Sequence, residues 1–117
     1  MNGWVILDKP SGYNSRKAGA ILANMYNAKT FGHIGTLDPM ASGLILIGLG
    51  QATKMIPFME YDNIKEYLFG VKFGIQTDTL DITGIQIAQM DIVPTKQQVL
   101  RACEKLTGDI MQVPPNY

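Results

Sequence analysis

Residues 43–50 read Gly-Leu-Ile-Leu-Ile-Gly-Leu-Gly, the most apolar stretch of the chain. Four large aliphatic side chains in succession, Leu44 to Ile47, with glycine on either side, suit a strand buried in a core. A helix needs roughly 20 such residues to cross a bilayer, so this run belongs to a protein interior. Immediately downstream, Gln51 to Met59 reads as a short helix that Pro57 either limits to its first turn or kinks. Upstream, residues 29–43 show no sustained period and hold three glycines, a proline and the only histidine. They predict a long loop, and long loops in compact domains are usually functional.

Working outward, Trp4-Val5-Ile6-Leu7 is a short apolar run stopped by Asp8-Lys9-Pro10-Ser11-Gly12, which predicts a buried strand feeding a turn. Asn14 or Ser15 can cap a following helix, in which Ala18, Ile21, Leu22 and Met25 form one apolar stripe while Arg16, Lys17 and Asn24 fall off it. Tyr67, Phe69, Val71 and Phe73 alternate with other residues and predict a half-buried antiparallel strand. Residues 77–84 read as a polar connection into a second alternating strand, Ile85 to Ala88. Thr95 caps a last helix with Val99, Leu100, Cys103 and Leu106 inside and Gly108 as its stop. Residues 109–117 look like a strand entering a turn, either an edge strand or a piece of a longer protein. Alternating strands interleaved with three helices predict an α+β fold, a mixed, mostly antiparallel sheet with flanking helices.

Composition bounds the function. Of 117 residues, 46% are hydrophobic and 17% charged, the make-up of an ordinary soluble domain, for which one domain is the simplest reading. Ten basic against ten acidic residues exclude a strongly basic nucleic-acid binder. The charge is uneven, however. Residues 1–59 hold five basic and two acidic residues, or +3, and residues 60–117 hold five and eight, or −3. The first half is therefore the side to meet an anion. A single cysteine, Cys103, excludes an internal disulfide and any metal site built from cysteines, and favours the reducing cytoplasm.

The loop at residues 32–43, Gly-His-Ile-Gly-Thr-Leu-Asp-Pro-Met-Ala-Ser-Gly, places a carboxylate, Asp38, before a proline that holds it on a turn and removes the next amide as its partner. Gly32, Gly35 and Gly43 allow unusual backbone or close approach, and His33 brings a hydrogen-bonding ring nearby. An Asp-Pro turn of purely structural use fits these features as well as a reactive site does. The same segment resembles, at eight specified positions out of twelve, the signature loop of the TruB family of pseudouridine synthases. Leu7-Asp8-Lys9-Pro10-Ser11-Gly12 with Ser15 resembles that family's first motif, and Gly50-Gln51-Ala52-Thr53-Lys54 its Gly-x-Ala-Thr-Lys. Lys65-Glu66-Tyr67 is similar to its Lys-x-Tyr, residues 74–81 to its Gly-x-x-Thr-Asp-Thr-x-Asp, and residues 108–117 fall in the same register.

The resemblance implies an isomerase that converts uridine to pseudouridine in RNA, and for the bacterial branch the uridine at position 55 in the T arm of tRNA. It implies Asp38 as the catalytic carboxylate, with attack at C1′, attack at C6 and a glycal route all left open. Tyr67 matches the tyrosine that packs on the base, and His33 the histidine placed where the extruded nucleotide leaves its stack. On its own pattern Tyr67 reads as core. Lys9 and Lys54 are secondary candidates, able to hold phosphate or to pair with carboxylates. Neither a cofactor nor a metal is expected, two carboxylates at Asp78 and Asp81 being too few for a hard-cation site. No membrane partner is expected either, and Cys103 reads as packing. The family's pattern continues beyond Pro-Pro-x-Tyr into a half that supplies an arginine for the aspartate and a second tyrosine, so residues 1–117 match the N-terminal half of a catalytic domain. The competing reading is a catalytically silent RNA-binding or interaction module.

Overall fold

The 43–50 run does form a strand, and its apolar character follows from its place. In the computed structural model, which describes residues 1–60 and 64–113, β3 (Gly43–Leu49) lies between β1 (Gly3–Lys9) and β2 (Phe31–Ile34) and is antiparallel to both. The chain divides into two compact units, Met1–Glu66 and Tyr67–Tyr117. β3 is the middle strand of the first.

One face of this sheet carries the core. Ile45, Ile47 and Leu49 are at most 3% exposed and pack with Ala23, Leu22, Val5, Leu7, Phe31 and Leu37. The other face is open at the β1 side, where Ile6 and Leu44 are 73% and 74% exposed. The expected buried strand at Trp4 to Leu7 is thus half-buried: Val5 and Leu7 face inward, Trp4 and Ile6 outward.

α1 (Ser15–Met25) begins at Asn14, whose side-chain oxygen accepts the Lys17 amide at 2.7 Å. The helix ends as a Schellman turn, with the Ala28 amide on the Ala23 carbonyl, the Asn27 amide on the Asn24 carbonyl, and Asn27 in the left-handed region at φ 50. Its buried face differs from the expected stripe. Ser15, Ala18, Gly19 and Ala23 are buried, while Ile21 and Met25 are exposed. Close approach decides this, because a Cβ on Gly19 would stand 2.7 Å from the Phe31 ring. Small residues let α1 lie against the sheet; the large ones turn away.

The loop expected over residues 29–43 contains β2. This edge strand is held by backbone pairing to β3, with His33 opposite Ile47, and has no apolar periodicity to announce it. After β3 come a 3₁₀ turn (Gly50–Met55) and α2 (Ile56–Met59), with Pro57 in the first helical turn, where a missing N–H costs nothing. The proline marks a break between two short helices.

The second unit holds an antiparallel ribbon of β4 (Ile75–Thr77) and β5 (Gln86–Gln89), then α3 (Lys96–Lys105). Thr95 caps α3 in a reciprocal pair with Gln98. Three expectations fail in this unit. Residues 67–73 form no strand: pairing partners are what turn an alternating sequence into a strand, and none of the described strands pairs with them. Tyr67, Phe69, Val71 and Phe73 are all exposed. The α3 stripe is not buried, for Leu100 and Leu106 are exposed, Cys103 is an exposed thiol and Val99 is half-buried. Residues 109–113 form no strand, and the rest of the expected tail, residues 114–117, lies outside the described residues. The class is α+β, with antiparallel pairing throughout the described strands. No helix among the described residues is long and apolar enough to cross a membrane.

Candidate active site

The loop from Gly35 to Ser42 joins β2 to β3. Gly35 turns the chain at φ 76, a conformation that favours glycine, and its carbonyl lies 2.7 Å from His33 Nδ1. A carbonyl only accepts, so Nδ1–H is the donor in this bond. Residues 38–41 then form a turn, Ala41 N–H donating to the Asp38 carbonyl at 3.0 Å, with Pro39 at the second position.

Every neighbour of Asp38 in this turn is tied down from one segment, residues 9–15. The buried Ser15 hydroxyl donates to the Leu37 carbonyl and accepts the Leu37 amide, both at 3.0 Å. Gly12 N–H donates to the Pro39 carbonyl at 2.7 Å, and the Ser11 hydroxyl to the Met40 carbonyl at 2.8 Å. Lys9 is fully buried, and its ammonium donates to the carbonyls of Pro10, Tyr13, Pro39 and Ala41 at 3.1, 2.6, 3.5 and 2.5 Å. Burying an ammonium is costly, and several carbonyl dipoles aimed at it offset that cost. The expectation that Lys9 holds phosphate or pairs with a carboxylate is therefore overturned: backbone oxygens fill its coordination.

Asp38 is the exception in its own loop. Its side chain is exposed, and among the described residues its carboxylate accepts no hydrogen bond. An anchored backbone with one unpaired carboxylate fixes the place of a nucleophile, or of a charge facing a developing cation, and leaves its orientation to a partner group. His33, half-buried at the other end of the same connection, adds a hydrogen-bonding ring.

Among the described residues, the remaining candidates share none of these bonds. Lys54 is exposed at the end of the 3₁₀ turn. Tyr67 belongs to the second unit and is 57% exposed. The Lys65 side chain passes Gly35, its Cε 3.9 Å from where a Cβ on that glycine would be. Asp78 and Asp81 cap turns: Asp78 accepts the Thr79 and Ile85 amides, and Asp81 the Thr83 amide and the Thr79 and Thr83 hydroxyls. These bonds, the Thr83 hydroxyl first and the Thr83 amide next, hold the Asp81 carboxyl below its usual range. Among the described residues no group of three His, Cys, Asp or Glu side chains gathers to hold a metal.

Ser15 and Ser11 are the site residues that sequence reasoning did not single out. The signal was present at Ser15. A helix start needs one cap, and Asn14 supplies it, which leaves the adjacent hydroxyl free for the loop.

Comparison with known proteins bears on this site directly, for the family model of the TruB pseudouridylate synthase N-terminal domain matches residues 23–117. The chain belongs to the TruB family. Its relatives include proteins named tRNA pseudouridine synthase B from Bradyrhizobium diazoefficiens, 47% identical, and from Ehrlichia chaffeensis and a Wolbachia of Culex pipiens, both 44% identical. Each match covers all of this chain and 34%, 39% and 33% of the relative, respectively. The chain thus spans about a third of the length of these curated relatives. The TruB match takes in the whole Asp38 loop, while the residues 9–15 that hold it lie just before residue 23, within the stretch aligned to the synthases.

Proposed function

We propose that residues 1–117 form the N-terminal half of a catalytic domain that isomerises uridine to pseudouridine in the T arm of tRNA, with Asp38 as the nucleophile. The observation that carries this reading is the Asp38 carboxylate, free and exposed on a loop whose flanking residues are each anchored to residues 9–15. The names of the relatives supply the reaction and the RNA.

The reaction breaks the bond from C1′ to N1 and makes one from C1′ to C5. N1 gains a proton and C5 loses one to solvent, so no oxidant, reductant or cofactor is required. A carboxylate suits the step because the ribose carbon becomes electron-poor as uracil departs. In this reading His33 stands where the turned-out nucleotide leaves its stack, Tyr67 packs on the base, and the reaction takes place in the cytoplasm.

The test is a chimera in which residues 1–117 replace the matching third of the Bradyrhizobium relative, assayed by tritium release from C5-labelled uridine in a T-arm RNA. Asp38→Asn is expected to abolish release while RNA affinity changes less than about tenfold, since the amide keeps the shape and loses the nucleophile. Release by the Asp38→Asn chimera at more than about one hundredth of the parent rate removes Asp38 from this role.

A further inference from the structure

Beside β2 lies a cavity of about 480 Å³ lined by Arg16, Lys29, Thr30, Phe31, Gly32 and His33. Its walls come together for reasons already visible in the fold. Gly19 seats α1 on the Phe31 ring, which brings Arg16, three residues earlier, to the side of β2, and Lys29 and Thr30 lead directly into that strand. No acidic residue lines the cavity. Arg16 and Lys29 are both exposed, and among the described residues neither forms an ion pair. Thr30 already donates its hydroxyl to the Gly50 carbonyl at 3.2 Å, so the two cations carry the free binding capacity.

We infer that this cavity is a subsite for a backbone phosphodiester of the RNA strand, an inference that rests on the reading of the chain as RNA-modifying. A guanidinium fork matches two phosphate oxygens, an ammonium adds a point charge, and the half-buried Phe31 ring gives an apolar wall for the attached sugar or base. The volume is more than a lone phosphate needs. His33 is shared with the Asp38 loop, so a phosphate held here belongs to a nucleotide close to the one that meets the imidazole. Arg16 and Lys29 are two of the five cations that give residues 1–59 their net charge of +3.

The test titrates a labelled T-arm RNA hairpin with the intact chain at several salt concentrations between about 50 and 200 mM. Removal of both charges, Arg16→Gln with Lys29→Gln, is expected to weaken binding and to lower the slope of log affinity against log salt by about 0.7 to 0.9, the value for one phosphate contact. A matched control, Lys96→Gln with Lys105→Gln on α3, is expected to leave the slope unchanged, and Arg16→Lys to restore most of the Arg16 share. Circular dichroism on each variant separates lost folding from lost contact. The proposal is overturned by a double variant with the parent slope, by a parent chain that binds no RNA at the lowest salt, or by displacement of the RNA by polyglutamate as readily as by unlabelled RNA. Displacement by inorganic phosphate at micromolar concentration reads as a free-anion site and also overturns it. Failure here is distinct from failure of the catalytic reading. A chimera that releases tritium while the slope is unmoved loses only the subsite, and one that is inactive while the slope falls loses only the chemistry.

Discussion

Lys9 and Tyr67 are two residues whose sequence patterns misled in opposite directions. Lys9 reads as a candidate to hold phosphate or pair with a carboxylate, yet it is buried with four carbonyl partners from two loops. Lys9→Met keeps the stem and strips those oxygens of their donor, so it is expected to destabilise the fold by about 3 kcal/mol, near the value of a buried hydrogen bond to a charged group. Denaturant unfolding of the two proteins checks this, and a loss below about 1 kcal/mol is incompatible with the clamp. Tyr67 sat on an alternating apolar face and read as core, but it is exposed. In the chimera, Tyr67→Phe is expected to lower the rate of tritium release strongly with near-normal RNA binding, because only the hydroxyl is lost. If Tyr67→Leu and Tyr67→Phe are equally active, neither stacking nor proton transfer stands.

Among the elements, those with local causes were legible. Thr95 capping α3, the cap at Asn14 or Ser15 and the break at Pro57 each depend on chemistry within a few residues, and each is found. What was not legible depends on distant partners. The rotation of α1 comes from Gly19 meeting Phe31, twelve positions away, and hydrophobicity ranks Ile21 above a glycine. β2 exists through its ladder to β3, which its own composition does not encode. The same distinction applies to the loop around Asp38: its turn at Asp38-Pro39 was readable locally, whereas the contacts of Ser11, Ser15 and Lys9 span 22 to 32 positions. The turn between β4 and β5 is a local element with a testable charge. Its Asp81 carboxyl is held below the usual value of 3.8 by Thr83 and Thr79. A depressed acid stabilises the turn fully above that value and ceases to do so as pH falls through its folded pKa. The Thr83 amide proton, followed by NMR, is therefore expected to titrate with a midpoint below 3.8; a midpoint at or above it contradicts the turn.

On the scale of the whole molecule, apolar surface is the outstanding feature. Ile6 and Leu44 lie on the open face of the sheet, on adjacent strands, and in the second unit Leu68 is fully exposed, with Phe69 at 77% and Ile82 at 84%. Apolar surface on this scale favours association in water. Residues 1–117 in isolation are expected to self-associate, as measured by light scattering, and, on the proposed role of Asp38, to show no multiple-turnover tritium release, because among the described residues its carboxylate has no cationic partner and a freely solvated carboxylate is poorly oriented. A soluble monomer active at the chimera's rate contradicts both.

The clamp beneath the Asp38 turn has one further consequence. Lys9 binds Pro10, Tyr13, Pro39 and Ala41 through their carbonyls, and Gly12 and Ser11 likewise reach Pro39 and Met40 through main-chain oxygens. Every amino acid carries that oxygen. The shape of the Asp38 loop is thus written into its backbone and held by a handful of donors in the preceding segment, so the side chains at Tyr13, Met40 and Ala41 are free to drift, and with them the texture of the surface around the carboxylate, without moving Asp38.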